Sequence, residues 1–441
     1  MPTVAEVLQL ARESLHTGRF DEVERLCRAV LDTTCNLAEP HALLAEALAQ
    51  HDAFDEALAH FRQALCLQPD HVPTHLNLGC MLERAGWIDE AIACYRNGLR
   101  IAPDLAQAHQ NLGRALCEQH RVAEAITCFE RALSLEPEWP APRLGLAHAR
   151  LMLGDFGRAW DDYECRDAVK SDLGRASGIP RWNGSRSSDT TLLISAEQGL
   201  GTEIMFASCL PDVVRDIARV VLECDARLQP LFRRSFPEVS FVAKPTGKND
   251  TPQPSDADSY IPLGSLPSLY RRSEADFPDG SQYLVPDSVL QAAWASRLER
   301  LGDGPKIGIS WRGGSSTEKM LKRSAPLDQW LPILRIPDIR WVNIQYGPCD
   351  GLLRKMADEY GITIHDWNDL DQTRNMEGMA AMLSQLDLII SVPNSAVHLA
   401  AAVGSPVWLL HRNRPVTRIG GRAWMGEEAW ARKSQAAALD G

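Results

Sequence analysis

Asn394, Ser395 and His398 stand in the stretch SVPNSAVHLAAAVG, where an apolar run ends and an alanine-rich helix begins. Asn and Ser are good helix caps, and a helix start leaves backbone N–H groups pointing outward. The helix dipole favours an anion there by roughly 0.3–1 kcal/mol per charge. His398 lies four residues after Asn394, on the same side of the helix. The set would seat a diphosphate, although an ordinary capped helix with a packed histidine gives the same pattern. A second loop, SWRGGSS (310–316), ends another apolar run. Gly313 and Gly314 allow close backbone approach, Arg312 has the reach for phosphate oxygens, and Arg323 in KRSAPL could grip them bidentately. A third loop, EQGLGTEIMF (197–206), carries Gln198, Gly199, Gly201 and Thr202 with two carboxylates, Glu197 and Glu203. A carboxylate at such a place could serve as general base on an acceptor hydroxyl, or it could be a helix-start residue favoured by the dipole.

These loops need elements to hold them. Short apolar runs occur at 191–197, 218–224, 306–311, 339–346, 361–367, 386–392 and 406–411, with helical stretches between most of them. That alternation predicts two parallel sheets with helices on their faces, over about 190–290 and about 305–420. Ligands of such sheets bind at the carboxyl ends of the strands, where the three loops lie. Two acidic pairs, Asp256 with Asp258 and Asp369 with Asp371, have the spacing of a metal-binding DxD. Neither directly follows a strand, so both read as solvated loops, and no metal is expected.

The first third repeats. Pro69, Pro103 and Pro137 are 34 residues apart, as are Ala57, Ala91, Ala125 and Ala159, and Phe61, Tyr95, Phe129 and Tyr163. Small Ala lets two helices approach, and the aromatic four residues on shares its face and fills the gap to the neighbouring unit. Proline stops the second helix. One such unit cannot bury its apolar face, so the units must stack. The period and columns resemble the tetratricopeptide repeat. Five units are expected over residues 1–173, a degenerate first (about 4–37) and a fifth that has lost its terminal proline. A stack of this kind offers a groove for a protein partner. Asn77 and Asn111 fall in register in a column that tends to contact a peptide backbone in this fold. His41, His75 and His109 also recur, and peptide contact or solvent exposure is expected of them rather than metal. Residues 174–190, rich in Gly, Ser and Arg, read as a linker with Trp182 as an aromatic plug.

Composition narrows the function classes. The chain has 441 residues and a net charge of −12, which disfavours nucleic acid or an anionic membrane as the main partner. No stretch is long enough to span a bilayer, and the first residues lack the pattern of a signal peptide. The 11 cysteines show no CxxC spacing and include Cys94 and Cys128 at apolar helix positions, so they read as reduced core thiols of a cytoplasmic protein.

The segments LLISAEQGLGTEIMFASCLP, KIGISWRGG, KRSAPL, WVNIQYG and LDLIISVPNSAVHLAAAVGSPVWLL occur in that order. Together with the repeats they resemble bacterial tetratricopeptide proteins fused to a GT-B glycosyltransferase domain, similar to heptosyltransferases and, in layout, to O-GlcNAc transferases. The likeness extends to flagellin glycosyltransferases. The resemblance implies an α-solenoid followed by two Rossmann-like domains, 191–300 and 301–441, with a final helix (about 422–438) crossing back to the first. It implies a metal-independent enzyme without cofactor that moves a sugar from a nucleotide sugar to Ser or Thr of a protein held by the repeats. Arg312, Gly313, Gly314, Asn394, Ser395 and His398 would lie near the phosphates, and Gln345 near the base or ribose. Relatives usually have Asp where this chain has Thr202, and Glu203 would take over as base beside His398. A non-catalytic scaffold with a degenerate domain and a sugar-nucleotide epimerase or hydrolase are the competing readings.

Overall fold

The structure, a computed structural model, describes residues 3–169, 179–244, 257–278, 282–314, 324–410 and 417–419. Arg323 and the expected final helix at 422–438 lie outside them. The chain divides into two compact units, Met1–Ala149 and Arg150–Gly441.

Residues 4–163 form helical hairpins in strict register. Their first helices are α1 (Val4–His16), α3 (Ala38–Gln50), α5 (Val72–Arg84), α7 (Ala106–Glu118) and α9 (Pro140–Leu153), the last of which crosses the unit boundary. Their second helices are α2 (Phe20–Thr33), α4 (Phe54–Leu67), α6 (Ile88–Ile101), α8 (Val122–Leu135) and α10 (Phe156–Tyr163). First helices start at 4, 38, 72, 106 and 140 and second helices at 20, 54, 88, 122 and 156, so the 34-residue step holds through the degenerate first hairpin too. Thr3 caps α1 in a capping box with Glu6. Phe61, Tyr95 and Phe129 are buried at 2% exposure or less. Glycine lets the rings sit that deep. A Cβ on Gly79 would lie 2.5 Å from the Tyr95 ring, and Phe129 is held between Gly113 and Gly145 at 2.8 and 2.7 Å. The aromatic therefore fills the gap inside its own hairpin as well as toward the next.

The histidine column makes contacts within the repeats. Nε2 of His75 meets the Pro69 carbonyl at 2.9 Å, and Nε2 of His109 meets that of Pro103 at 2.8 Å. Arg143, one period on, donates to Pro137 O. The column ties each first helix to the turn before it. His41, whose turn has no proline, pairs instead with His60, Nδ1 to Nδ1 at 2.9 Å. Asn77 donates to Glu46 and Asn111 to Cys80 Sγ, each reaching 31 residues back. Asn77 is half-buried and Asn111 is buried, so both serve contacts between neighbouring hairpins. The cysteines are free thiols, and burial pushes those of Cys94 and Cys128 up to about 11.

The second unit contains α10 and two sheets. α10 belongs here because Trp160 Nε1 donates to Arg271 O and Arg272 grips Asp161 and Gly157 O. The repeat-like sequence thus runs past the unit boundary, whereas a break at 173 was expected. The first sheet has strands β1 (Ser187–Ser195), β2 (Ile217–Cys224), β3 (Val239–Ala243) and β4 (Ser259–Pro262), all parallel, in the order β3-β2-β1-β4. Residues 180–182, part of the expected linker, extend it by bonding to Tyr260, and Trp182 is buried as a plug.

The second sheet has β5 (Lys306–Ser310), β6 (Arg340–Asn343), β7 (Ile364–His365), β8 (Leu388–Ser391), β9 (Val407–Leu409) and β10 (Thr417–Ile419). Their order is β10-β9-β8-β5-β6-β7, with β10 antiparallel. Counted within each sheet, both orders contain 3-2-1-4, the arrangement of doubly wound sheets, whose ligand crevice lies where the winding reverses. That place is β1/β4 in the first sheet and β5/β8 in the second. The helix Ser288–Glu299, expected with the first sheet, joins the second: Trp294 meets Trp367 edge-on at 5.2 Å and Arg297 pairs with Asp369. Among the described residues no helix is long and apolar enough to cross a membrane.

Candidate functional site

At the reversal point of the second sheet the loops after β5, β6 and β8 are bonded together. Asn394 caps the helix Ser395–Ala402, accepting from Ala396 N at 3.0 Å, as its residue type demands. Its Nδ2 also donates to Ser310 Oγ at 2.8 Å, across from β8 to β5. Gln345 is 1% exposed. Its Oε1 accepts from Ser310 Oγ, Trp311 N and Arg312 N at 3.0, 3.0 and 2.7 Å, and its Nε2 donates to Tyr346 O. Every polar group of that side chain is engaged. Gln345 therefore fastens two loops to each other rather than facing a base or ribose. Gly314 adopts φ +94°, which favours glycine, and its carbonyl accepts from Tyr346 Oη. Gly313 N donates to Ser324 Oγ.

The first turn of the Ser395–Ala402 helix is less open to an anion than its sequence suggests. Ala396 N–H is taken by Asn394, and Val397 N–H donates to the Asn394 carbonyl. The cation and the space lie next to it. Arg312 is half-buried, with Nη2 donating to Tyr346 O at 3.0 Å. It borders a cavity of about 410 Å³ lined by Trp311, Arg312, Pro348, Cys349, Asp350, Gly351 and Leu352, within the range of small-molecule sites. The helix Asp350–Tyr360 starts on this cavity, and its N-cap, Cys349, supplies no side-chain cap. Sequence reasoning missed this turn because CDGLL carries no Ser, Thr or Asn cap. The signal available was a helix beginning just past a strand that neighbours β5.

The glycine loop of the first sheet is arranged differently. Glu197 is 2% exposed and Glu203 1%. Both Glu197 oxygens accept from Arg166, at 2.9 Å from Nε and 2.8 Å from Nη2, and Oε1 also accepts from Gly264 N. Glu203 accepts from Asp225 N at 2.7 Å and lies 3.4 Å from Lys244 Nζ. Burial raises the Glu203 carboxyl above the usual range, against the pull of those partners. Neither carboxylate faces open space, so Glu203 does not stand where a general base was expected. Gln198 has φ +60°, a left-handed conformation that costs a non-glycine residue about 1–3 kcal/mol. It is held by Tyr163 Oη, 2.8 Å from its Nε2, and by Lys244 Nζ, 3.0 Å from its carbonyl. Arg166, Tyr163 and Lys244 escaped sequence reasoning because they lie outside any motif. Gly199 is exposed, and Thr202 is half-buried in the first turn of the helix Leu200–Ala207.

The two sheets' loops meet. A Cβ on Gly201 would lie 2.9 Å from His398 Cδ2 and 3.4 Å from Ser395 Cα. His398 and Ser395 are half-buried there. The structure thus brings Gly201 against His398 and Ser395, and groups Arg312, Gly313, Gly314, Gln345 and Asn394 at the β5/β8 reversal. Of the acidic pairs, Asp258 accepts from Thr191 N, Asp369 pairs with Arg297, and Asp371 accepts from Thr373 N and Arg374 N.

Family models of the tetratricopeptide repeat match residues 41–106 and 106–139. The first unit is therefore a stack of tetratricopeptide repeats. Over 286 residues the chain is 35% identical to Protein FlbA of Caulobacter vibrioides, covering 61% of this chain and 48% of that one. The chain thus spans about half the length of the curated relative it matches. Among solved structures, MamA residues 41 to the end from Desulfovibrio magneticus RS-1 is 21% identical with a TM-score of 0.36, covering 39% of this chain and 99% of that one. PilF of Pseudomonas aeruginosa is 18% identical with a TM-score of 0.38, covering 53% and 92%.

Proposed function

We propose that the sheet unit is a GT-B glycosyltransferase domain and that the repeats hold its protein acceptor, flagellin being one candidate. The observation that carries this is the cavity of about 410 Å³ between the loops that follow the neighbouring strands β5 and β6, with Arg312 on its wall. A nucleotide sugar would lie there, at the carboxyl ends of parallel strands. Arg312 would hold the diphosphate together with the N–H groups of Asp350 and Gly351, the Leu352 N–H of the same turn being taken by the Cys349 carbonyl. Trp311 would wall the site, and the Asp350 carboxylate would accept from sugar hydroxyls. An acceptor Ser or Thr hydroxyl attacks the anomeric carbon, the anomeric C–O bond to the phosphate breaks, and the nucleoside diphosphate (the monophosphate for a CMP-sugar) leaves with its charge stabilised by those groups. His398, the titratable side chain where the two loops meet, would take the hydroxyl proton. Glu203 serves as a strut of the glycine loop in this scheme. The repeats contribute by holding the acceptor close, which supplies proximity.

A second reading, a non-catalytic scaffold that binds nucleotide sugar, has a specific observation in its favour: both carboxylates of the glycine loop are buried and engaged. Incubation with UDP-, GDP-, CMP- and TDP-sugars, with and without flagellin, separates the two. Sugar appearing on protein supports transfer. Saturable binding without turnover supports the scaffold. Neither binding nor turnover with any of the four removes both.

A further inference from the structure

We infer that Arg166 and Tyr163 form a positioning clamp that sets the conformation of the 196–201 loop and, through it, the contact of Gly201 with His398. The inference rests on the proposed reading for what the loop serves, but the clamp itself is a matter of geometry.

Arg166 is 1% exposed, and all three of its guanidinium nitrogens are engaged. Nε and Nη2 grip the two Glu197 oxygens side by side. Nη2 also donates to Ser265 Oγ at 2.7 Å, and Nη1 donates to Tyr163 O and Glu164 Oε1 at 3.3 and 3.1 Å. The guanidinium lies over the Tyr163 ring, 4.7 Å from its centre. The Tyr163 hydroxyl in turn meets the side chain of Gln198, the residue held at φ +60°. Two consecutive loop residues are thus gripped by two side chains three apart, Tyr163 at the end of α10 and Arg166 at the start of the short helix Arg166–Val169. A planar, bidentate grip fixes direction as well as charge. Gly264 completes the fit, since its backbone N–H reaches Glu197 where a Cβ would collide with the carboxylate.

Three residues beyond Gln198 the chain reaches Gly201, whose approach to His398 leaves no room for a side chain. A loop released from Tyr163 and Arg166 can abandon the left-handed turn, and Gly201 then moves relative to the imidazole. The clamp therefore connects a helix that continues the repeat pattern to the meeting point of the two sheets' loops. Arg166 and Tyr163 touch no ligand in this scheme. They are positioning residues.

The test uses the full chain and no nucleotide, so a protein that binds no nucleotide sugar would leave the clamp to be judged separately. Hydrogen exchange of peptides covering 196–202 is measured together with the ring signals of ¹³C-labelled histidine, His398 being assigned by His398→Gln. The variants are Tyr163→Phe, which leaves the buried ion pair intact, and Arg166→Lys, which keeps the charge and loses the fork. Both should speed exchange of the 196–202 amides about tenfold and displace the His398 signal, while exchange in α1–α8 stays at the wild-type rate. Wild-type loop exchange in both variants would overturn the clamp. So would faster loop exchange with an unmoved His398 signal, and so would full wild-type behaviour in Arg166→Lys, which would reduce Arg166 to charge neutralisation.

Discussion

The two sheets carry loops at equivalent places, and the loops spend their charged groups in opposite ways. After β1 the carboxylates of Glu197 and Glu203 point inward and are consumed by Arg166, Gly264, Asp225 and Lys244. After β5 the neutral groups are consumed, Gln345 and Asn394 binding Ser310 and the backbone, and Arg312 is left half-buried on the wall of a cavity. A buried charge must be partnered within the protein. Charged groups in the first loop therefore build the loop, and the charge in the second borders a cavity. On the proposed reading, the difference puts donor binding on the second sheet and gives the first a positioning task.

The largest effect that separates the loops is thermodynamic. Arg166→Met leaves the Glu197 carboxylate buried without its cation and should cost about 3–5 kcal/mol in denaturant unfolding of the sheet unit. Arg312→Met should cost less, about 1–2 kcal/mol, because its half-buried guanidinium has a carbonyl partner and its loss strands no buried charge. Equal costs would erase the distinction.

The next effect is steric. Gly201→Ala places a methyl 2.9 Å from the His398 ring and should lower stability by about 1–3 kcal/mol. Gly199→Ala, two residues away, meets nothing within 4 Å at φ −107° and should cost only the preference for Gly over Ala at a helix N-cap, about 0.5–1 kcal/mol. Thermal midpoints of the two variants sharpen the picture of a loop closed on one side and open on the other.

The smallest effect is protonic. Burial raises the Glu203 carboxyl in the folded protein, so the fold holds that proton more tightly than the unfolded chain does. Its favourable contribution is complete below the unfolded value of about 4.3 and is lost as pH rises through the folded one. Glu203→Gln should therefore gain stability relative to wild type as pH rises from 4.5 to 8. A gain that shrinks over that range would mean that Lys244 and Asp225 outweigh burial.

How much of this could be read from the chain depends on the range of the interactions. The hairpins were legible because Pro69, Ala57, Phe61 and their 34-residue counterparts act on near neighbours, and the step carries even through α1 and α2. The runs at 218–224, 306–311 and 386–392 were legible as strands by their apolar content. β3 and β4 were not, since β3 alternates buried and exposed positions instead of forming an apolar run and β4 ends at Pro262. The roles of Glu197 and Glu203 were misread because their partners lie elsewhere: Arg166 is 31 residues before the first, and a backbone amide 22 residues after the second. A carboxylate beside two glycines looks the same in sequence whether it faces a substrate or an internal arginine. The partners of His75 and His109 escaped for a related reason, since the Pro69 and Pro103 carbonyls they bind have no sequence signature.

The most direct measurement is nucleotide binding by titration calorimetry with UDP, GDP, CMP and TDP on wild type, Arg312→Met and Glu203→Gln. The account predicts that one of these nucleotides binds wild type, that Arg312→Met weakens it at least about tenfold, a loss of roughly 1.4 kcal/mol, and that Glu203→Gln leaves it unchanged. Binding lost in Glu203→Gln but kept in Arg312→Met, or no binding of any of the four to wild type, would contradict it.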